Sequence, residues 1–279
     1  MTIKQALNQA KEQLNGIVPR AMFEAQLLMA HHLGVDRMYL IINDNQELQD
    51  SDGFFDLVSQ RCVHKPIEYI TQKVSFYDIE LFVDEGVLIP RPETELLIDR
   101  CADIIQKHNI TKIAEIGVGS GAISVVLARL FPHLQITATD ISPQALSIAQ
   151  QNIDSFNLTE QIELRHTSLL DGCDDSFELI VSNPPYIADD IILEPNVQRY
   201  EPHTALFGGE KGDELLKEII LQTKARDTRW LCCEMGYDQK EPLQKFMSQN
   251  GIYGVEFYKD LAGLDRGFVV DFEILPSRS

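Results

Sequence analysis

The chain has 279 residues, 44% of them hydrophobic, which is enough for one large domain or two of modest size. No apolar stretch approaches the length of a bilayer, and Met1–Ala6 fits an amphipathic helix, so we expect no membrane span and no signal peptide. The formal net charge is −19, and residues 74–279 hold 17 basic against 34 acidic side chains, which disfavours a phosphate-backbone partner. Five cysteines without Cys-x-x-Cys spacing disfavour disulfides and zinc and predict a reducing cytoplasm.

Residues 1–73 are predicted to form a small all-helical domain. Apolar residues recur at helical spacing, for example Ala21, Ala25 and Leu28. The predicted helices are Thr2–Leu14, Pro19–Leu33, Asp36–Ile42 and Asp50–Val63. Residues 74–90 contain two short strand-like segments, 74–77 and 79–83, and are predicted to be a β-hairpin linker.

From Pro92 onward strands and helices alternate, which predicts a doubly wound α/β sheet for residues 91–279. Ligands of such sheets bind beyond the carboxyl ends of the strands. Trp230–Glu234 is a further predicted strand. Its last residue, Glu234, could face the crevice, but we expect a strand end in solvent. Residues 251–258 and 268–274 are predicted to close the sheet as an antiparallel pair.

A glycine-rich turn, Gly117–Gly121, follows the buried strand Lys112–Ile116 and precedes a predicted helix. This is the local context of a nucleotide-binding loop, because glycines let a ligand lie against bare backbone. The next strand ends in Asp140, at the spacing expected for a carboxylate that accepts hydrogen bonds from ribose hydroxyls. At this point the pattern fits a nicotinamide dehydrogenase as well.

A second motif, Asn183-Pro184-Pro185-Tyr186, follows the predicted strand Phe177–Ser182. Proline has a carbonyl but no N–H group, so this corner presents almost only hydrogen-bond acceptors beside an aromatic ring. Such a corner suits a planar NH2 group held by both of its hydrogens. It favours methyl transfer to nitrogen over hydride transfer.

These motifs resemble those of a known family. Residues 115–121, Asp140 and residues 183–186 are similar to motifs of class I S-adenosylmethionine-dependent N-methyltransferases. Residues 65–71, 87–95, 200–202 and 205–209 narrow the resemblance to the glutamine N5-methyltransferases of peptide chain release factors. The resemblance implies a Rossmann-like methyltransferase sheet with a small N-terminal helical domain that recognises the substrate.

The resemblance also implies an activity and a set of residues. The enzyme would transfer a methyl group from S-adenosylmethionine, leaving S-adenosylhomocysteine, to the glutamine of a Gly-Gly-Gln loop. Asn183, Pro184 and Tyr186 would be catalytic and would bind the substrate together with Pro185. The cofactor-binding residues would be Glu115, Gly117, Val118, Gly119, Ser120, Gly121, Asp140, Ile141, Ser168, Leu169 and Asn183. Ser168 stands where the family usually has an acid.

The expected partner is a release factor, with no nucleic acid, no membrane and no metal, and the expected enzyme is a cytoplasmic monomer. Two alternatives stay open. Glutamine methylation of a ribosomal protein would use the same chemistry, and adenine-N6 methyltransferases share the Asn-Pro-Pro-Tyr corner but ordinarily need a basic recognition region.

Overall fold

The computed structural model describes residues 1–275, so residues 276–279 of the predicted catalytic domain lie outside it. The α-helices are α1 Ile3–Leu14, α2 Ala21–Leu33, α3 Arg37–Ile42, α4 Ser51–Cys62, α5 Ile67–Thr71, α6 Thr94–His108, α7 Ala122–Leu130, α8 Pro143–Ser155, α9 Pro195–Tyr200, α10 Glu214–Ala225 and α11 Lys240–Gln249. The strands are β1 Lys73–Phe76, β2 Ile79–Phe82, β3 Lys112–Ile116, β4 Gln135–Asp140, β5 Ile162–His166, β6 Leu179–Ser182, β7 Ile187–Ala188, β8 Phe207–Gly209, β9 Trp230–Glu234, β10 Val255–Lys259 and β11 Asp265–Asp271. None of the helices within this described range is both long and apolar enough to cross a membrane.

The chain forms two compact units. One consists of residues 1–73 with 193–200, and the other of residues 74–192 with those from 201 onward. The first unit is helical, and its core includes the fully buried side chains of Leu28, Met29 and Phe54.

The four predicted helices of the first unit are confirmed, and capping side chains set the start of three of them. Thr2 accepts a hydrogen bond from the backbone of Gln5, whose side chain returns one to the backbone of Thr2. Asp36 and Asp50 likewise cap α3 and α4 through their carboxylates. The predicted helix from Pro19 begins at Ala21 instead.

The second unit contains a seven-stranded sheet in the order β10-β11-β9-β6-β3-β4-β5. Strands β3, β4, β5, β6 and β9 are parallel, and β11 pairs antiparallel with both β9 and β10. Helices α6, α7 and α8 cover one face of the sheet, and α10 and α11 cover the other. Successive residues of β3 point to opposite faces, so Ile113 packs in the first core and Ala114 in the second. The predicted doubly wound fold is therefore confirmed.

The first strand of the closing antiparallel pair, β10, begins later than predicted. Residue 251 was expected to begin a strand, but β10 begins at Val255. The amide of Gly251 donates to the carbonyl of Ser248, and its φ of +70° is outside the β region, so residues 251–254 complete the exit from α11. The predicted hairpin before α6 forms as β1 and β2.

The strand order changes direction at β3. From β3 the chain continues to β4 and β5 on one side, and then crosses to β6 and β9 on the other. A crevice for ligands forms at such a switch point, outside the carboxyl ends of the strands. The carboxyl ends of β3, β4, β5 and β6 and the segments that follow them carry the predicted site residues.

Candidate active site

A cavity lies at the carboxyl edge of the parallel strands in the second unit. It is lined by segments that follow β3, β4, β5 and β6 and by residues preceding and beginning α6, together with Pro202, Thr204 and Ala205. Of the predicted cofactor residues, Glu115, Gly117, Val118, Gly119, Ser120, Asp140, Ile141, Ser168, Leu169 and Asn183 line this cavity. Gly121 does not; it caps α7, and a Cβ there would meet Ala149 at 3.5 Å.

The glycine turn exposes its backbone to the cavity. Gly117 and Gly119 have φ values of +77° and +52°, which side-chain-bearing residues rarely adopt. A Cβ built on either residue would have no atom within 4 Å, so both face open space. A ligand can therefore approach the main chain closely at this turn.

Asp140 is held in place by two backbone amides. Its Oδ2 accepts a hydrogen bond from Gly119 N at 3.0 Å, and its Oδ1 accepts one from Ser142 N at 2.9 Å. Each carboxylate oxygen can accept more than one hydrogen bond, so acceptor capacity remains for hydroxyl groups in the cavity.

Glu115 brings a second carboxyl group to the cavity wall, from within β3. It is 1% exposed and accepts a hydrogen bond from Ser124 Oγ. Burial raises the pKa of Glu115 to about 8, an increase that the hydrogen bonds from Ser124 oppose and the negative charge of Asp140 strengthens. At neutral pH, therefore, this carboxyl group is largely protonated.

The wall beyond β5 is apolar beside a small hydroxyl. Leu169 is buried with a φ of +48°, and its carbonyl accepts a hydrogen bond from Thr139 Oγ1 at 2.6 Å. Ser168 lies next to it, also on the cavity wall. Leu169 can therefore pack against a flat ring. Ser168 supplies a hydroxyl group at the position where the family usually has an acid.

Asn183–Tyr186, here called the acceptor corner, contributes only two of its residues to the cavity wall. Asn183 and Pro185 line the cavity, whereas Pro184 is buried and Tyr186 points elsewhere. Asn183 Nδ2 donates to Thr94 Oγ1 at 3.1 Å. Within residues 1–275, no donor is recorded for its Oδ1, which leaves this oxygen able to accept hydrogen bonds from a ligand.

Tyr186 forms a hydrogen bond with Glu234, a residue predicted to lie at a solvated strand end. Its hydroxyl donates to Glu234 Oε1 at 2.9 Å, and Thr94 Oγ1 donates to Glu234 Oε2 at 2.7 Å. Glu234 was expected in solvent but is 1% exposed, because β9 is an interior strand between β6 and β11. Burial raises its pKa. The signal available in the sequence was an acid that ends a wholly apolar strand.

An ion pair supports the entry segment to α6. Glu201, 3% exposed, accepts a hydrogen bond from Arg91 Nη2 at 2.5 Å and another from Ile89 N at 3.2 Å. Both partners precede Thr94, which lines the cavity. These two hydrogen bonds to one buried carboxylate fix residues 89–94 against the segment that supplies Pro202, Thr204 and Ala205.

Two family descriptions match this chain. Residues 5–71 match the PrmC N-terminal domain, and residues 92–198 match the methyltransferase small domain.

Similar proteins extend over nearly the whole sequence. A release factor glutamine methyltransferase of Koribacter versatilis is 36% identical over 95% of this chain and 97% of its own length. One of Clostridium acetobutylicum is 33% identical with the same coverage. One of Dictyoglomus turgidum is 42% identical over 74% of each chain.

Solved structures agree on the fold. The human METTL16 catalytic domain in complex with a MAT2A hairpin superposes with a TM-score of 0.59 at 18% identity, covering 79% of this chain and 84% of that one. The ribosomal protein L11 methylase of Lactobacillus delbrueckii gives 0.50 at 21% identity, covering 69% and 84%. At such identities the likeness shows a shared Rossmann-like architecture and nothing about substrate.

The relatives confirm the resemblance seen in the motifs, and with it the predicted enzyme class and the methyl donor S-adenosylmethionine. Because both domains match and 36% of residues are identical over 95% of the chain, this chain belongs to the release factor glutamine methyltransferase family.

Proposed function

We propose that this chain methylates the side-chain amide nitrogen of the glutamine in the Gly-Gly-Gln loop of a bacterial peptide chain release factor. The observation that carries the proposal is the orientation of Asn183, whose amide nitrogen is engaged by Thr94 while its oxygen remains an acceptor at the cavity wall. The names of the relatives support the substrate.

The cavity suits S-adenosylmethionine, which supplies an electrophilic methyl group on a sulfonium when bound. Gly117 and Gly119 offer bare backbone with open space above it. Asp140 keeps acceptor capacity for ribose hydroxyls, and Leu169 offers an apolar surface for the adenine ring. Ser168 offers a hydroxyl where most relatives would place a carboxylate, so adenine recognition here depends less on charge.

The acceptor corner addresses the harder part of the reaction, the weak nucleophilicity of a carboxamide nitrogen. Asn183 Oδ1 accepts one N–H bond of the substrate amide at the cavity wall, and the other falls to the carbonyl of Pro184, a buried residue that does not itself line the cavity. Together the two acceptors aim the amide nitrogen and stabilise positive charge that develops there. Fixed orientation contributes up to ~7–11 kcal/mol in favourable cases. Each fixed acceptor adds roughly 3 kcal/mol, by analogy with oxyanion-hole donors. Tyr186 belongs to this corner but does not line the cavity. Its hydroxyl group donates a hydrogen bond to Glu234 instead.

The remaining assignments belong to the same proposal. Residues 1–73 recognise the release factor, residues 74–90 link them to the catalytic domain of residues 91–279, and the enzyme acts as a monomer without nucleic acid. The cytoplasm is the place of action because release factors act there on ribosomes. The acidic composition of residues 74–279 supports a protein partner over a phosphate backbone.

A panel of substrates tests the proposal. The chain is incubated with labelled S-adenosylmethionine and, separately, with a release factor, a preparation of ribosomal proteins, and duplex or hairpin nucleic acid. We expect one methyl group per release factor, located by mass spectrometry on the glutamine of the Gly-Gly-Gln loop. A release factor in which that glutamine is replaced by glutamate controls for methylation elsewhere. Label in ribosomal protein or nucleic acid, with none in the release factor, would contradict the proposal.

A further inference from the structure

Glu234 connects two residues that the proposed chemistry uses. Its Oε2 accepts a hydrogen bond from Thr94 Oγ1 at 2.7 Å, and its Oε1 accepts one from the Tyr186 hydroxyl at 2.9 Å. Thr94 in turn accepts the hydrogen bond of Asn183 Nδ2 at 3.1 Å. The result is a chain of contacts that runs from a buried carboxyl group to the side chain at the cavity wall.

The polarity of this chain has one consistent assignment. Both carboxyl oxygens of Glu234 accept hydrogen bonds from hydroxyl groups, so the single hydroxyl proton of Thr94 points to Glu234. The Thr94 oxygen then has only lone pairs to offer Asn183. Asn183 must therefore turn its nitrogen to Thr94 and its oxygen to the opposite side, where the cavity lies.

The three links come from three rigid elements. Thr94 is the first residue of α6, Asn183 follows the end of β6, and Glu234 is the last residue of β9. Strands β6 and β9 are hydrogen-bonded neighbours, with Ser182 opposite Cys233. Positions at the ends of packed elements hold a side chain more closely than loop positions do.

We propose that Glu234 is a positioning residue for methyl transfer, which acts through Thr94 to keep the amide oxygen of Asn183, and not its nitrogen, presented to the substrate. The inference rests on the proposed function, because only an acceptor with an NH2 group needs the oxygen in that place. A reversed Asn183 amide would bring N–H against N–H and would repel the nitrogen that has to be aimed.

The test uses the 279-residue chain in four forms beside the wild type: Glu234→Gln, Thr94→Val, Thr94→Ser and the double variant Thr94→Val with Glu234→Gln. Glutamine offers one acceptor and one donor where glutamate offers two acceptors, so Thr94 loses its fixed polarity. Valine keeps the shape of threonine without the hydroxyl, and serine keeps the hydroxyl. Single-turnover methylation of a release factor is measured at saturating S-adenosylmethionine, and calorimetry gives the affinities for both substrates.

We expect Glu234→Gln and Thr94→Val each to slow the single-turnover step by on the order of 10²-fold, the effect typical of one misplaced catalytic hydrogen bond. Both substrate affinities and the melting temperature stay close to those of the wild type. Thr94→Ser restores the rate to within about threefold. The double variant is no slower than Thr94→Val alone, because Glu234 acts through Thr94.

A second readout does not depend on turnover. In the side-chain amide resonances of Asn183, we expect Thr94→Val to lose the hydrogen bond from Nδ2 and to show more than one orientation of the amide group.

Full-speed Glu234→Gln, or losses that multiply in the double variant, would overturn the inference and leave the proposed function intact. If Glu234→Gln fails to fold, the Thr94→Val and Thr94→Ser pair still decides, since equal rates for the two would overturn it. A wild-type chain that does not methylate release factors would instead refute the proposed function.

Discussion

Gly117 and Gly172 have nearly the same backbone conformation but different surroundings. Their φ values are +77° and +71°, and a Cβ on either would meet no atom within 4 Å. Only Gly117 lines the cavity. The pair therefore separates the role of a glycine in binding from its role in the backbone.

We predict that Gly117→Ala and Gly172→Ala destabilise the protein by similar amounts, about 1–2 kcal/mol, because both force an L-residue into a left-handed conformation. Only Gly117→Ala lowers the affinity for S-adenosylmethionine, by roughly tenfold or more, since its methyl group occupies the space above the bare turn. Calorimetry and thermal unfolding of the two variants measure both effects. Equal cofactor affinities would show that the ligand does not approach this turn.

Glu115 gives the stability of the protein a dependence on pH. Its pKa is about 8 in the folded protein against an ordinary value of 4.5, so the folded state binds a proton more tightly than the unfolded state. Stability is then lost as pH rises from about 4.5 through 8, because the folded state resists losing that proton.

We predict that Glu115→Gln becomes progressively more stable than the wild type between pH 5.5 and 8.5, by a few kcal/mol at the upper end. Urea unfolding followed through Trp230, the single tryptophan, reports the unit that contains Glu115. The exposed Glu218→Gln is the matched control. Parallel stability curves for the wild type and Glu115→Gln would contradict the prediction.

Helix α8 is tied to two other segments through one buried amide. Asn152 Nδ2 donates to the carbonyls of Phe82 and Ser120, and its Oδ1 accepts from Phe82 N at 2.8 Å. It therefore connects α8, strand β2 and the glycine turn. A buried amide with three hydrogen bonds specifies this packing more narrowly than apolar contacts alone would.

We predict that Asn152→Leu destabilises the protein by about 3 kcal/mol, because it leaves buried backbone groups of β2 and of the glycine turn without partners. Gln151→Leu, at the neighbouring exposed position of the same helix, should change stability by less than about 0.5 kcal/mol. Urea unfolding of both variants provides the comparison. An equal effect of the two substitutions would show that the buried amide does not secure α8.

The elements that the sequence predicted well are those whose signals are local. The strand–glycine–helix pattern of residues 112–130 and the capping residues Thr2, Asp36 and Asp50 act within a few positions of themselves. The buried contacts of Glu234 and Asn152 were not predicted, because their hydrogen-bond partners lie 140 and 70 residues away along the chain. Such partners become neighbours only once the strand order is known.

Each of the two units has a core of its own. The proposed role of residues 1–73 in recognising the release factor can therefore be tested by changing the helical core alone. Phe54 is fully buried in the core of residues 1–73. Replacing a buried phenylalanine by alanine destabilises a domain by about 3–5 kcal/mol.

We predict that Phe54→Ala weakens binding of the release factor at least tenfold and leaves the affinity for S-adenosylmethionine unchanged, because the cavity lies wholly in the other unit. Asp52→Ala, an exposed position of the same helix, is the control. Calorimetric titration with each ligand gives both affinities. Loss of cofactor binding together with release factor binding would contradict a separate recognition role for residues 1–73.

In the proposed mechanism, the side chain of Asn183 aims the carboxamide nitrogen of the substrate at the methyl donor. The most direct test is the single-turnover rate of release factor methylation by Asn183→Ala at saturating S-adenosylmethionine, with the exposed carboxamide variant Gln151→Ala as control. We predict a fall of at least 10²-fold for Asn183→Ala even with the cofactor site saturated, and a rate for Gln151→Ala equal to that of the wild type. A rate for Asn183→Ala within a few fold of the wild type would contradict the account.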